Sequence, residues 1–349
     1  MSEQLQVTGA RFVAECLARY GVTHLFYVDA ILRRAMVDME ALGIRRVVTH
    51  SEKAAAYMAD GYARVSGRAG VCAAQSVGAA NLAAGLQDAW LACAPVVALT
   101  GKKPPMFQHR NAYQEIDHWP MFQPVTKYNV DVVEPKQLPH LMREAFRVAT
   151  TGRPGPVHLD LVGREARELE VATGLPAPIV EARYLNVPPF RPAPDPSSIA
   201  EAADAIRQAQ RPILVAGGGV RISGAAAALV ALAERCGIPV ATSVNGKGTI
   251  DETHALSVGV VGSYSAWCAN RAVHEADLVI YVGSATGDQT THNWQVPAVG
   301  TRVVQLDIDP AELGRSYSGT IGVVGDARVS LEALTQALTP SEGNAEWLA

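Results

Sequence analysis

One acidic side chain stands at the head of a segment of small and apolar residues. Segment 50–70 reads HSEKAAAYMADGYARVSGRAG, with Glu52 near its start. At helical spacing Glu52 shares a face with Ala55, Ala56 and Ala59, and a face of such small side chains suits close contact. A carboxylate drawn out of water there is costly unless it is paired, and burial raises its pKa. These features predict a proton-handling role for Glu52.

A plainer interpretation of Glu52 is a solvated acid at a helix N-terminus. The helix dipole favours a carboxylate at this end, and Ser51 supplies an N-cap. On this interpretation the carboxylate has no chemical role.

The wider segment favours the chemical interpretation. HSEKAAAYMADGYAR resembles the H-E-x-x-A-x-x-M-A-x-G-Y-A-R signature of thiamine diphosphate enzymes of the acetolactate synthase type. The resemblance implies that Glu52 hydrogen-bonds the aminopyrimidine of thiamine diphosphate and promotes loss of the thiazolium proton. The cofactor would supply the chemistry, and the protein would supply orientation and electrostatics.

A second candidate contact with the cofactor is the loop 75–81, QSVGAAN, between a predicted strand and a predicted helix. A glycine in such a loop lets a ligand approach the backbone closely. The loop resembles the family's S-G-P-G-x-x-N turn beside the pyrimidine, with Ser76 and Val77 in place of glycine and proline. The resemblance implies cofactor contacts from Ser76, Val77, Gly78 and Asn81. An ordinary tight turn is the alternative.

Segment 112–115, AYQE, resembles the family's A-F-Q-E segment, in which an aromatic residue and an amide reach a partner subunit's cofactor. The resemblance implies that Gln114 hydrogen-bonds the substrate carbonyl or its oxyanion. Tyr113 replaces the more usual phenylalanine, and its hydroxyl is a further candidate donor. Plain surface-loop polarity is the alternative. His109 and His118 flank the segment and are interpreted as structural or rim residues.

The loop after the first predicted strand departs from the family pattern. Segment 26–30 reads FYVDA where relatives carry G-x-P-G-G. Asp29 would place a carboxylate close to the cofactor and substrate, where it would repel a 2-keto acid. Asp29 is therefore counted among the cofactor-site candidates, with an N-cap of the helix predicted from Ala30 as the alternative.

The second half of the chain carries nucleotide-like segments. The run VAGGGV at 215–220 follows a predicted strand, and such turns can bring backbone N–H groups to a phosphate. The segments NGKG at 245–248 and LDIDP at 306–310 match central-domain segments that can border ADP, FAD or a coenzyme A nucleotide. The candidate nucleotide contacts are Gly217, Gly218, Lys247, Asp307 and Ile308.

The family's diphosphate site needs G-D-G followed by N-N, which hold Mg²⁺ through oxygen ligands. No Gly-Asp-Gly occurs in this sequence. The chain is therefore not expected to bind thiamine diphosphate and Mg²⁺ alone, and no metal ligand is assigned. The favoured hypothesis is one subunit of a split enzyme, a hetero-oligomer of dimers whose partner chain carries the G-D-G…N-N domain. The small-residue face beside Glu52 would then pack against that partner.

Two other hypotheses stay open: a fragment of a longer acetolactate synthase-like chain, and a non-catalytic nucleotide-binding regulatory homologue. The favoured activity is a lyase or carboligase acting on a carbon–carbon bond beside a carbonyl. The Asp29 loop and the nucleotide segments favour a 2-hydroxyacyl-CoA lyase. Acetolactate-type carboligation or decarboxylation of a 2-keto acid is the alternative.

Apolar runs alternate with helical patterns along the chain, which predicts an α/β fold with two doubly wound parallel-sheet domains. A pyrimidine-binding domain is predicted over 1–168 and a Rossmann-like central domain over 196–340. A proline-rich linker over 169–195 and a polar tail over 341–349 complete the organisation.

Composition excludes several classes of function. A net charge of −4 without a basic stripe argues against nucleic acid as a partner. No run approaches the length of a membrane span, and residues 1–10 lack the pattern of a secretory signal. Five scattered cysteines without metal-like spacing indicate reduced thiols in a cytoplasmic protein.

Overall fold

The computed structural model describes residues 6–341, 343 and 345–348. The chain divides into two compact units, with the boundary between Pro189 and Phe190. Each unit has a parallel sheet with helices on both faces, so the predicted α/β class of two doubly wound domains is confirmed.

The strands of the first unit are β1 (Gln6–Val7), β2 (His24–Tyr27), β3 (Arg45–Val48), β4 (Gly70–Gln75), β5 (Val96–Lys102), β6 (Tyr128–Val132), β7 (Val157–Val162) and β8 (Leu175–Pro176). Five of them, β2, β3, β4, β5 and β7, coincide with apolar runs predicted as strands, whereas β1, β6 and β8 do not. The helices are α1 (Gly9–Arg19), α2 (Arg33–Ala41), α3 (Glu52–Ser66), α4 (Ser76–Leu91), α5 (Trp119–Phe122), α6 (Leu138–Thr150) and α7 (Arg167–Val171).

Among the described residues the main sheet of this unit has the order β3-β2-β4-β5-β7-β6. Alternate side chains of its strands enter two cores. Leu25 and Val71 join α1, α2 and α6 on one face, whereas Phe26 and Cys72 join α3 and α4 on the other. This alternation is the period-2 pattern of a strand buried on both sides. The strand order reverses between β2 and β4, where ligands of doubly wound sheets usually bind.

The small-residue face of α3 is covered by this chain's own α4. Ala55, Ala56 and Ala59 are fully buried together with residues of α4. A Cβ on Gly85 of α4 would lie 2.7 Å from the Cβ of Ala56. The prediction that this face packs against a partner chain is wrong, because two helices of small residues already approach closely within one unit.

The stretch interpreted as a linker is partly ordered on the first unit. It contains most of α7 and all of β8, which pairs antiparallel with β1. Leu169, Leu175 and Tyr184 are buried in the first core. The proline pattern there concealed short elements whose apolar side chains are widely spaced.

The second unit contains strands β9 (Pro212–Ala216), β10 (Val240–Thr242), β11 (Ser257–Val260), β12 (Leu278–Val282), β13 (Arg302–Asp307) and β14 (Ile321–Val324). Its helices are α8 (Pro196–Gln208), α9 (Gly218–Ile222), α10 (Ala226–Cys236), α11 (Trp267–Glu275), α12 (Asp288–Thr291), α13 (Ala327–Ala337) and α14 (Ala345–Leu348). Within the described ranges the sheet order is β11-β10-β9-β12-β13-β14, the arrangement of Rossmann folds.

Candidate active site

The candidate residues of the first unit lie on segments that leave one edge of its sheet. Because all pairings in this sheet are parallel, the carboxyl ends of its strands share that edge. Asp29 follows β2, Glu52 follows β3 and Ser76 follows β4. The reversal of strand order between β2 and β4 therefore places two of these segments on neighbouring strands.

Glu52 is the first residue of α3 and is held by α4. Ser51 is the N-cap, and its hydroxyl accepts a hydrogen bond from the Ala54 N–H at 3.2 Å. The Asn81 side-chain amide donates to Glu52 Oε2 at 3.1 Å. The Glu52 side chain is partly exposed rather than fully buried, which corrects the prediction of a carboxylate drawn completely out of water.

Gly78 makes room for the Glu52 carboxylate. A Cβ built on Gly78 would lie 2.4 Å from Glu52 Oε1 and 2.8 Å from its Cδ, which is too close for two non-bonded atoms. One turn along α4, Asn81 donates to the other carboxylate oxygen. Gly78 and Asn81 thus form a cradle for a single acidic side chain, and we call these three residues the Glu52 cradle.

Ser76 opens α4 with an uncommon backbone conformation. Its φ is 32°, in the left-handed region that favours glycine, which is the residue that the family turn carries here. Its hydroxyl donates to the carbonyl oxygen of Gly101 at 3.3 Å, and the residue is buried. Val77, in contrast, is 52% exposed. Strained positions of this kind persist only where surrounding contacts hold them.

A buried polar cluster, which we call the His118 cluster, supports the Ser76 turn. His118 is fully buried, with Nδ1 2.8 Å from Asp160 Oδ2 and Nε2 3.0 Å from the carbonyl oxygen of Ser76. Thr100 Oγ1 lies 2.8 Å from Asp160 Oδ1 and 2.6 Å from His158 Nε2. Burial alone would raise the pKa of Asp160, but the hydrogen bond with His118 and the charges of His118 and Lys102 help to bring this pKa below its ordinary value.

This cluster was not predicted from the sequence. The interpretation of His118 as structural rather than catalytic agrees with its burial, but it is not a rim residue. A signal was present in β7, because His158 and Asp160 interrupt a strand that is otherwise apolar and fully buried. Buried polar residues in such a strand need partners.

Gln114 lies beside the end of β4. The Gln75 side-chain amide donates to Gln114 Oε1 at 3.3 Å and to Glu165 Oε1 at 3.1 Å. Gln114 Nε2 in turn donates to the Tyr113 hydroxyl at 3.2 Å, and Tyr113 is 75% exposed. Gln114 is half-buried and has a φ of 59°, so it also stands on a strained turn. Reach across a subunit interface stays a prediction.

A polar cleft of about 700 Å³ lies beside the Gln114 segment. Its lining includes Lys102, the last residue of β5, and Lys103, which follows it. Glu115 and Asp117, on the chain just after Gln114, also line it. Lys103 Nζ lies 2.5 Å from Glu165 Oε1, so the cleft, Gln75 and Gln114 share one hydrogen-bond network. The size is in the range of small-molecule sites.

Asp29 has a different environment from the expected one. Helix α2 begins at Arg33, and Leu32 occupies the N-cap position, so the alternative N-cap role of Asp29 is wrong. The Asp29 carboxylate instead accepts from Arg33 Nε at 3.2 Å, and more than half of its side chain is exposed. The start of α2 is capped by Glu170, whose Oε1 accepts from two backbone N–H groups.

In the second unit the glycine run has a packing reason. A Cβ on Gly217 would lie 2.1 Å from the carbonyl oxygen of Gly283, and one on Gly219 would lie 2.7 Å from the Gly283 Cα. Gly218 lies between them at the start of the short helix α9. The turn after β9 therefore packs backbone to backbone against the end of β12.

The remaining nucleotide candidates are spread along other loops. Lys247 forms an exposed ion pair with Glu252. Asp307 ends β13, its Oδ1 accepts the Asp309 N–H at 3.0 Å, and Ile308 follows it. The predicted nucleotide contacts of this unit stay predictions.

In residues 6–341, 343 and 345–348, no group of three or more His, Cys, Asp or Glu side chains is arranged to hold a metal ion. Over the same ranges, no helix is long and apolar enough to cross a membrane.

Comparison with family models accounts for both units. Residues 7–121 match the model described as "Thiamine pyrophosphate enzyme, N-terminal TPP binding domain". Residues 199–334 match "Thiamine pyrophosphate enzyme, central domain". The chain belongs to the thiamine pyrophosphate enzyme family. The resemblance read from the Glu52 segment is thereby confirmed.

Curated relatives of this thiamine pyrophosphate enzyme chain are named as acetolactate synthases. A probable acetolactate synthase large subunit from Methanocaldococcus jannaschii is 41% identical over 96% of this chain and 56% of its own length. An acetolactate synthase from Arthrospira platensis is 37% identical over 95% of the chain and 58% of its own length. The large subunit from Corynebacterium glutamicum is 34% identical over 98% and 54%. The chain thus spans about half the length of these relatives.

Proposed function

We propose that this chain supplies the pyrimidine side of a thiamine diphosphate site in a carboligase of the acetolactate synthase type. The observation that carries the proposal is the Glu52 cradle. Asn81 occupies one carboxylate oxygen of Glu52, and Gly78 leaves the space in which the other oxygen lies. The names of the relatives support the type of reaction.

The cradle fits the polar edge of an aminopyrimidine. An ionised carboxylate can only accept hydrogen bonds. While Asn81 holds Oε2, Oε1 can accept a hydrogen bond from a protonated ring nitrogen of the aminopyrimidine. The partial exposure of Glu52 leaves it accessible to a ligand. When bound, thiamine diphosphate supplies the electron sink that allows a carbon–carbon bond to form or break beside a carbonyl.

Other residues of the chain would position the substrate. Gln114 has an amide that can donate to a carbonyl oxygen, and its partner Tyr113 adds an exposed hydroxyl. Gln75 holds Gln114 from the end of β4, next to the Ser76 turn. We propose that Gln114 and Tyr113 act at a cofactor held by a neighbouring subunit.

The acetolactate interpretation is now favoured over a 2-hydroxyacyl-CoA lyase. The argument for the lyase rested partly on repulsion of a 2-keto acid by Asp29, but Arg33 pairs with that carboxylate. Charged side chains line a cleft of about 300 Å³ beside the loop, and arginines outnumber glutamates among them. They are Arg33, Arg34, Arg164, Glu165, Arg167 and Glu170. The excess of positive charge in this cleft would attract the carboxylate of a 2-keto acid.

We also propose that the Mg²⁺ and diphosphate ligands come from a further stretch of polypeptide. The sequence has no Gly-Asp-Gly, and its relatives are almost twice as long as the matched region. A partner chain and a continuation of this chain are both compatible with this requirement. Either one would complete a site that contains Glu52.

Calorimetry and an activity assay test this proposal together. Thiamine diphosphate with Mg²⁺ is titrated into this chain alone, and then into this chain with a polypeptide carrying the G-D-G…N-N segment. We expect tight binding and acetolactate formation from a 2-keto acid only in the second case. Tight binding by this chain alone would refute the shared site. Cleavage of a 2-hydroxyacyl-CoA without acetolactate formation would refute the favoured reaction.

A further inference from the structure

His118 is surrounded by acceptors at both ring nitrogens. Nδ1 lies 2.8 Å from a carboxylate oxygen of Asp160, and Nε2 lies 3.0 Å from the backbone carbonyl oxygen of Ser76. A carbonyl oxygen can only accept, and an ionised carboxylate can only accept. Each contact is a hydrogen bond only if the ring nitrogen carries a proton. With Asp160 ionised, as the lowered pKa of its carboxyl indicates, both contacts are hydrogen bonds only if the one buried imidazole carries both N–H groups.

We propose that His118 is a buried imidazolium that acts as a positioning residue, tying the Ser76 carbonyl at the start of α4 to Asp160 in β7. The Ser76 turn stands at an unfavourable φ, and a charge-assisted hydrogen bond to its carbonyl is suited to hold it there. The cradle residues Gly78 and Asn81 lie on the next turns of the same helix.

Carboxylates surround His118 and its neighbour Lys102. Asp160 is fully buried and lies 3.6 Å from Lys102 Nζ, and Lys102 also contacts Asp131 at 2.6 Å. The charge of Asp117 also acts on Lys102, so the carboxylates around His118 and Lys102 outnumber these two cations. Burial lowers the pKa of the remaining group, His158, to about 3, so His158 is neutral near pH 7. A buried cation with a paired carboxylate meets the requirement for burying charge.

The position of His118 in the chain gives this arrangement a role. His118 follows Gln114 by four residues, and its ring contacts the turn that precedes the Glu52 cradle. One side chain therefore joins the segment that carries Gln114 and Tyr113 to the helix that holds Glu52. Any effect of His118 on cofactor binding rests on the proposed function. The protonation state of His118 and the rigidity of the Ser76 turn can be measured whether or not the proposed function is correct.

Nitrogen-15 NMR of selectively labelled histidines tests the protonation state without cofactor. The His118 signal is assigned by its loss in His118→Gln. At pH 8 we expect both ring nitrogens of His118 to have the shifts of protonated nitrogen, while His158 has one protonated nitrogen. In Asp160→Asn, which removes the paired charge, His118 should lose one proton. A neutral His118 in the unaltered protein at pH 8 would overturn the proposal even if every variant failed to fold.

Hydrogen exchange tests the positioning role with a matched pair of variants. His118 and His158 are both fully buried and both bond within one cluster, but only His118 contacts Ser76. Because a hydrogen bond to a charged group is stronger than one between neutral groups, His118→Gln should speed exchange at the start of α4 by roughly tenfold or more. His158→Gln should leave that exchange unchanged relative to the rest of the unit. Equal effects of the two variants would reduce His118 to a general packing role.

Discussion

Gly78 determines where the Glu52 carboxylate can lie. A Cβ on residue 78 would come within 2.4 Å of Glu52 Oε1, while Asn81 holds Oε2 at 3.1 Å. A glycine inside a helix costs stability relative to alanine, roughly 0.5–1 kcal/mol. The space that the Glu52 carboxylate needs explains a glycine at position 78, which helix propensity does not.

Gly78→Ala should therefore displace the carboxylate without unfolding the unit. The atom that would be struck is the end of a flexible side chain, so the backbone need not move. We expect acetolactate formation by the completed enzyme to fall at least tenfold, with the thermal midpoint nearly unchanged. Gly61→Ala in α3 is the control, because a Cβ there meets no atom within 4 Å. It should stabilise the unit slightly and leave activity intact; equal activity in the two variants would contradict the cradle.

Asn81→Ala removes the hydrogen bond to Glu52 Oε2. Because a small misplacement of a catalytic group can cost about a hundredfold in rate, turnover should fall roughly tenfold or more. Asn81 is exposed, and the free energy of unfolding should change by less than about 0.5 kcal/mol. Steady-state kinetics and urea unfolding measure both. Gln87→Ala, an exposed change on the same helix, should alter neither. Full activity in Asn81→Ala would show that the amide does not orient Glu52.

Glu170→Ala should destabilise the first unit. Glu170 is buried and accepts the N–H groups of Arg34 and Ala35 at 2.9 Å each, so it caps α2 from the stretch interpreted as a linker. Leaving those two donors without an acceptor should cost about 1–3 kcal/mol in urea unfolding. Glu168→Ala removes a neighbouring exposed carboxylate 3.5 Å from Arg164 and should cost under about 0.5 kcal/mol. Equal losses in the two variants would refute the capping role.

Because His158 is buried, we expect the first unit to lose stability as the pH falls. Burial lowers the pKa of His158 from 6.5 to about 3, so the unfolded chain binds this proton at a higher pH than the folded chain. Stability is then fully present above about pH 6.5 and is lost as pH falls towards 3. Between pH 4.5 and 6, the free energy of unfolding should fall by up to about 1.4 kcal/mol per pH unit more than in His158→Gln. Identical slopes would mean that His158 is not buried in its neutral form.

The sequence predicted the elements that are apolar and continuous. The sequence predicts strands over 70–74, 95–100 and 278–282 and helices over 9–20 and 138–149. The bounds of β4, β5, β12, α1 and α6 agree with these ranges to within two residues. The edge strands β6, β11 and β14 were not assigned, although the edge strand β3 was predicted. Edge strands are only half covered, and polar residues interrupt the apolar run of YNVDV in β6.

The site was predicted in its parts but not in its arrangement. The Glu52 signature located the acid, yet the small residues beside it proved to be a surface for α4. A pattern of alanines predicts close packing but does not name the partner. His118 contacts Ser76, 42 residues before it, and Asp160, 42 residues after it. No local periodicity reports a contact of that sequence separation.

Turnover by Glu52→Gln in the completed enzyme tests the central claim most directly. Glutamine keeps the size of the side chain and a hydrogen-bonding oxygen for Asn81, but it removes the charge that would interact with the aminopyrimidine. If Glu52 activates thiamine diphosphate, acetolactate formation should fall at least about a hundredfold, as expected for loss of an acid–base group. Assembly and the fold, measured by sedimentation and circular dichroism, should be unchanged. Turnover equal to that of the unaltered protein would contradict the assignment of Glu52.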